Sequence, residues 1–267
     1  MKIIESLIKS KRGDSDGGED ILLVTDQYVA VIDGATSKSS ALFEGKTGGR
    51  IAGECLVRCL SNPSWGRKAD ARTVINSLQS YIKEYSLLNA LDQIHLCASA
   101  VIYSIAQRQV WAVGDCQFMM NGELHSFGKK VDLVLSETRS LAIQMLMASG
   151  VSEEDLRKND KGREMILPFL KMQKLLENSP SEYGYSVFSD QGEVQSFSVT
   201  DVPPGAELVL ASDGYPDLRR SLKESEEALE RLLREDPLCY KVYKSTKGLA
   251  WGQSSFDDRC YVRLVVD

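Results

Sequence analysis

Histidine is nearly absent, with His95 and His125 the two in 267 residues. No three-histidine zinc site can be built from them, so a metal site is expected to rest on carboxylates, the donors of hard ions such as Mg²⁺ and Mn²⁺. Long apolar stretches are lacking as well. No run of about eighteen apolar residues occurs, which leaves no membrane-spanning helix. The opening MKIIESLIKSKRGDSD turns to charge before a signal-peptide core can form. A soluble, cytoplasmic protein with no membrane partner is the expectation. No Cys-x-x-Cys pair occurs among Cys55, Cys59, Cys97, Cys116, Cys239 and Cys260. These read as small buried thiols in a reducing compartment rather than as disulfides or zinc ligands. Neither a Gly-x-Gly-x-x-Gly nor a Gly-x-x-x-x-Gly-Lys-Ser/Thr loop is present, so nucleotide binding has no support. Positive charge is not in excess: 32 Lys and Arg face 38 Asp and Glu, a formal net charge of −6. That balance argues against a nucleic-acid partner.

What is present is a well-patterned chain without repeats or low-complexity linkers, long enough for a large core and expected to form one domain over residues 1–267. Loose alternation at 2–8 predicts a strand, and the polar turn Gly13-Asp14-Ser15-Asp16-Gly17-Gly18 follows. Runs at 21–25 and 28–32 flank Asp26-Gln27 as in a hairpin. From Gly49 the period becomes helical up to Pro63, and a second helix carries Val74, Ile75, Leu78, Tyr81, Ile82 and Tyr85 on one stripe. Strands are expected at 96–106, 110–113 and 118–120, with a turn at Asn121-Gly122. Residues 137–176 read as mostly helical, with Ser152-Glu153-Glu154-Asp155 resembling a capping box. Strands follow at 185–188, 194–199 and 207–211. A second capping box, Ser221-Leu222-Lys223-Glu224, opens a helix that buries Leu229, Leu232 and Leu233, and a strand at 259–266 closes the chain. Strands grouped around helical blocks predict an α+β protein: a four-layer α-β-β-α sandwich of two antiparallel sheets flanked by helices.

Several acidic residues share a local grammar. Val-Ile-Asp33-Gly34, Ala-Val-Gly-Asp115, Val-Leu-Ala-Ser-Asp213-Gly214 and Ser-Phe-Asp257-Asp258 each end an apolar or β-branched run in Asp, while Gly18-Glu19-Asp20 stands just before a strand. Singly, an Asp-Gly at a strand end is a common turn. Together, such carboxylates can converge at one edge of a sandwich, where they repel one another unless cations neutralise them. A pair of divalent ions does so, and two-ion centres are a known device for attack on phosphorus.

GED at 18–20, VIDG at 31–34, GGRIAGE at 48–54, AVGD at 112–115, LASDG at 210–214 and SFDDR at 255–259 occur in one order. That order and spacing resemble the metal-dependent protein phosphatases of type 2C, across about residues 19–266. The resemblance implies two Mg²⁺ or Mn²⁺ ions, a weaker third in several members, and hydrolysis of a phosphomonoester by a metal-bridging hydroxide. It makes Asp33 the carboxylate that bridges both ions, and Asp33 with Asp213 the centre of catalysis. Glu19 and the Gly34 carbonyl serve one ion, Asp213 and Asp257 the other; Asp20 stands in the outer shell, and Asp115 joins Asp213 at the third. The implied partner is a phosphoserine or phosphothreonine protein.

The match has gaps. The family usually places an arginine a few residues before the Glu-Asp pair, where this chain has Ser15, Asp16, Gly17 and Gly18; Arg12 is the nearest substitute. Asp33-Gly34 is followed by Ala35 instead of the His or Met of many members. The usual Gly-Asp-Ser-Arg appears as Gly114-Asp115-Cys116-Gln117, and the final Asp-Asn as Asp257-Asp258. Residues 136–183 are the least family-like and are expected to form a flap beside the site. Trp251 is a candidate substrate contact, Tyr215 a core or lid aromatic, and Lys46 and Arg50 solvated surface. His95 and His125 read as ordinary turn or strand-end residues. A regulatory binding module on the same fold, and a small-molecule phosphatase, are the rival readings.

Overall fold

The computed structural model describes residues 1–14, 18–35, 38, 41–62 and 69–267. Strands β1 (Lys2–Lys9), β2 (Ile21–Val24) and β3 (Tyr28–Gly34) precede helices α1 (Gly48–Leu60) and α2 (Ala71–Leu88). Then come β4 (Cys97–Ser104), β5 (Gln109–Val113), β6 (Gln117–Met120) and β7 (Glu123–His125). A helical block, α3 (Lys130–Ala148), α4 (Glu153–Lys158) and α5 (Lys161–Met172), leads through a 3₁₀ turn at Gln173–Leu176 to β8 (Phe188–Ser189) and β9 (Ser198–Asp201). Strand β10 (Glu207–Ala211), helix α6 (Leu222–Glu235) and β11 (Arg259–Val265) complete the order.

Period-two alternation decides the layers. On β3 and β4, Val29, Val31, Val101 and Tyr103 face Phe118, Leu208, Leu210, Val262 and Leu264 of the other sheet, forming the dry interlayer. The intervening Ala30, Ile32, Ala98, Ala100 and Ile102 turn outward and are covered by the apolar stripes of α1 and α2. On the opposite side Val209, Ala211 and Tyr261 meet Leu229 and Leu233 of α6. The sheets run β1-β11-β10-β6-β7 and β2-β3-β4-β5-β9, with β8 paired to β4. Every pair is antiparallel. This is the expected sandwich of two antiparallel sheets between helices. No helix among the described residues is long and apolar enough to cross a membrane.

The helix starts follow local chemistry. Thr47, Asp70, Ser152 and Ser221 each accept the N–H three residues on, and at Ser221 the Glu224 side chain returns the bond in a full capping box. Helix α3 begins seven residues before the expected 137, at a Lys129 cap whose side chain makes no capping bond. Without a polar cap, that start carries no local signal. Leu232 of α6 is half-buried rather than core, while Leu229 and Leu233 are buried as expected.

The strands expected at 185–188 and 194–199 shrink to 188–189 and 198–201. A side chain replaces the ladder there. Asn178 accepts the Val187 N–H at 3.1 Å and donates to the carbonyls of Val187 and Gln191. With those groups satisfied, residue 187 needs no neighbouring strand.

Candidate active site

Four aspartates from separate segments line one cleft of about 930 Å³: Asp33 near the end of β3, Asp115 beyond β5, Asp213 beyond β10, and Asp257 before β11. Asp257 therefore precedes its strand, whereas the sequence reading grouped it with acids that end one. The local backbone is built for close approach. A Cβ on Gly34 would lie 2.5 Å from the Gly49 carbonyl oxygen, so Gly34 and Gly49 of α1 pack backbone to backbone. Gly114 has φ of +86° and lies against the Ser99 side chain, an arrangement that lets Ser99 Oγ donate to Asp115 at 2.5 Å.

Burial and mutual repulsion load this cluster. Asp33 is raised well above the usual carboxylate range, first by desolvation and then by Asp20, Asp115 and Asp257. Asp213 is raised by burial, then by Asp33, Asp257 and Asp115. Asp20 lies behind the cleft lining; burial raises its pKa more than the Ser212 hydrogen bond lowers it, and its Oδ2 has no hydrogen-bond partner. Glu19 also sits behind the lining. It accepts from Thr47 Oγ1 at 2.6 Å, with Lys11 Nζ at 3.9 Å. An all-oxygen donor set with an orphaned buried oxygen and carboxylates that raise one another's pKa fits a hard divalent cation.

No three of these aspartates bring carboxylate oxygens within 4.8 Å of one another. Among the described residues, the one trio of His, Cys, Asp or Glu with ligand atoms within 4.8 Å of one another is His95, Cys97 and Glu177, elsewhere on the cleft wall.

The cations of the site escaped the sequence reading. Arg12, the candidate clamp, is exposed and not part of the cleft lining; residues 15–17, where the usual arginine would fall, lie outside the described residues. Lys38, Lys129 and Lys247 line the cleft instead. Lys129 Nζ is 2.8 Å from Asp115 Oδ2, and Lys247 pairs with Asp257. Burial opposes the charge on Lys247, but Asp257 and Asp213 outweigh it and push its pKa up. At Lys38 burial wins, with help from Lys247 and Arg163, and the pKa falls to about 8.

Side chains of α3 and α5, with Asp236, tie down the loop that carries Lys247. Arg139 of α3 is fully buried and donates to the carbonyls of Leu238, Cys239 and Ser245 as well as to Asp160. Arg163 of α5 donates to the Thr246 carbonyl at 2.6 Å. Asp236, also fully buried, accepts the N–H groups of residues 240–243. The loop carrying Lys247 is thus tied at many points. Gln117, where an arginine is usual in the resembling family, donates to the carbonyls of Ser212 and Tyr215 and fixes the Asp213 turn.

Other expectations fall away from the cleft. Trp251 stands on α4 between Arg157 and Lys158 and does not line the cavity. Lys46 and Arg50 both pair with Glu54. Tyr215 does line the cleft, though it is buried, with its hydroxyl donating to Glu226 at 2.7 Å. Asp258 accepts the N–H groups of Lys11 and Glu19, tying the first loop to the start of β11. His125 stacks on Phe118.

No family model and no curated protein matches the sequence. Among solved structures, the chain is similar to the serine/threonine phosphatase Stp1 from Staphylococcus aureus, with 13% identity and a TM-score of 0.51 over 100% of this chain and 96% of that one. The Mycobacterium tuberculosis serine/threonine phosphatase PstP/Ppp aligns at 15% identity and a TM-score of 0.49, over 98% of this chain and 97% of that one. Two antiparallel sheets packed between helices give this chain the fold of the type 2C serine/threonine phosphatases.

Proposed function

We propose that the protein is a Mg²⁺- or Mn²⁺-dependent phosphomonoester hydrolase acting on phosphoserine or phosphothreonine in proteins. One observation carries the reading: Asp33, Asp115, Asp213 and Asp257 meet on one cleft that Lys38 and Lys247 also line. Asp33, Asp213 and Asp257 would hold two ions, with Glu19, Asp20 and the Gly34 carbonyl in support and Asp115 available to a third. Ions held there supply Lewis-acid polarisation of the phosphoryl group and of the attacking water. The remaining work falls to the chain itself. Lys247 and Lys38 bind phosphoryl oxygens through charge-assisted hydrogen bonds. Arg139 and Asp236 keep the Lys247 loop from moving as the substrate enters, so little ordering entropy is lost on binding. The phosphoprotein partner and the Stp1-like activity are parts of this proposal.

The test is hydrolysis of p-nitrophenyl phosphate and of a phosphothreonine peptide with millimolar Mn²⁺, against a chelator control. Asp33→Asn and Asp213→Asn should each abolish the metal-dependent rate; an undiminished rate in either removes the assignment. A second reading has its own support. The Lys129–Asp115 and Lys247–Asp257 pairs partly neutralise the cluster without any ion, as a regulatory binding module would need. Phosphopeptide binding in chelator, with no turnover on any phosphoester in Mn²⁺, would favour that module.

A further inference from the structure

The sequence reading set His95 and Cys97 aside, and the mechanism above uses neither. On the strand entry into β4 they stand two apart, and the side chains at both positions reach the same cleft. Glu177, just past the 3₁₀ turn Gln173–Leu176, reaches the same point. The ligand atoms of His95, Cys97 and Glu177 lie within 4.8 Å of one another. His95 Nε2 is 2.8 Å from Glu177 Oε1, and His95 Nδ1 is 2.7 Å from Asp190 Oδ1.

A second observation points to a ligand. The Glu177 side chain is 4% exposed, yet its Oε2 has no hydrogen-bond partner. An unmet buried carboxylate oxygen is costly, and native structures rarely keep one without a use. The surroundings are also constructed. Asn178 fixes the backbone beside Glu177 through bonds to Val187 and Gln191. The Asp190 N–H donates to the Leu96 carbonyl at 3.1 Å, holding Asp190 against the residue between His95 and Cys97.

We infer that His95 Nε2, Cys97 Sγ and Glu177 form a binding site for one borderline-soft divalent ion, Zn²⁺ by donor chemistry, distinct from the carboxylate site. Nitrogen, sulfur and oxygen donors suit Zn²⁺ and are poor ligands for Mg²⁺. Asp190 accepts the hydrogen bond of Nδ1–H and sets the imidazole orientation, as carboxylates do behind zinc-bound histidines. Three protein donors leave a fourth position open to the cleft. Zn²⁺ would bind Cys97 as the thiolate, displacing its proton. Lys129 stands between the two sites, 2.8 Å from Asp115 and 5.2 Å from the centre of the Tyr185 ring. The ion would tie the flap base at Glu177 to the first residue of β4.

The experiment uses the full chain stripped with chelator and returned to millimolar Mg²⁺, with ZnCl₂ as the probe and a chromophoric chelator as competitor. One equivalent should bind, and Co²⁺ in its place should show a thiolate-to-cobalt charge-transfer band. Asp190→Asn should weaken binding about 10–100-fold, and Cys97→Ser should weaken it further and remove the band, while Asp213→Asn changes neither. Failure to bind, absence of the band in the unaltered protein, or loss of binding in Asp213→Asn with retention in Cys97→Ser would each overturn the site. None of these readouts depends on phosphatase activity, so the inference and the proposed function can fail separately.

Discussion

The cleft holds two acidic groups of opposite design. At the sandwich edge, four aspartates stand apart, repel one another and draw in lysines. Along the wall, an imidazole lies between two carboxylates with a thiol beside it, and the ligand atoms are already close. The difference is one of internal compensation. A histidine brings its own proton to a carboxylate pair, so that group closes up unaided; aspartates alone need charge from outside. Lysines answer part of that need at the edge, and divalent ions would answer the rest.

Separating the two groups by mutation should produce the largest effect. Asp213→Asn is expected to cut metal-dependent hydrolysis on the order of a thousandfold, equivalent to about 4 kcal/mol of transition-state stabilisation, while leaving Zn²⁺ binding intact; steady-state rates and metal titration check both halves. Next is the flap's anchor. Arg139→Met removes the ion-pair partner of Asp160 and frees the loop carbonyls, and should cost about 3–5 kcal/mol in urea unfolding, with the Lys247 loop showing faster amide exchange than the Asp33 strand.

Smaller effects probe the lysines. Lys247→Met should weaken inhibitory phosphate binding about tenfold, near 1.4 kcal/mol, measured by calorimetry. Lys38 loses its charge as pH rises through about 8. Binding of sulfate, whose own charge is constant there, should therefore fall several-fold above that pH in the native protein and stay flat in Lys38→Met. The least effect concerns His95. Burial works against its charge, but Asp190, Cys97 and Glu177 outweigh it and raise the pKa from 6.5 to about 12. In chelator, its contribution to stability is complete below about pH 6.5 and is lost as pH rises toward about 12. The stability advantage over His95→Gln should shrink along that interval, and denaturation curves at several pH values test it.

The sandwich was readable because its signals are local. The apolar runs at 28–32 and 96–106, the stripe from Val74 to Tyr85 and the Ser221 cap each act over a few residues, and the aspartates inherit their place from the strands they border. The reading failed where a distant side chain replaced a local rule. Asn178 satisfies residue 187 and removes a strand. Lys129 and Lys247 carry no motif, because what places them is a turn into α3 and a loop knotted by Arg139. The His95-Leu96-Cys97 spacing was a usable hint, since alternate strand residues share a face. Glu177 offered none, standing 80 residues further along the chain.

The sequence by itself determined which segments are strands and helices, and that carboxylates would sit at strand ends, because hydrophobic periodicity and turn chemistry are properties of neighbouring residues. Only the tertiary structure decided which charges meet. Lysines face the aspartates, Arg12 does not, and a histidine, a thiol and a glutamate share one corner. Electrostatic partners are chosen by distance through space, and for residues as far apart as 97 and 177 that distance exists only once the sheets have closed.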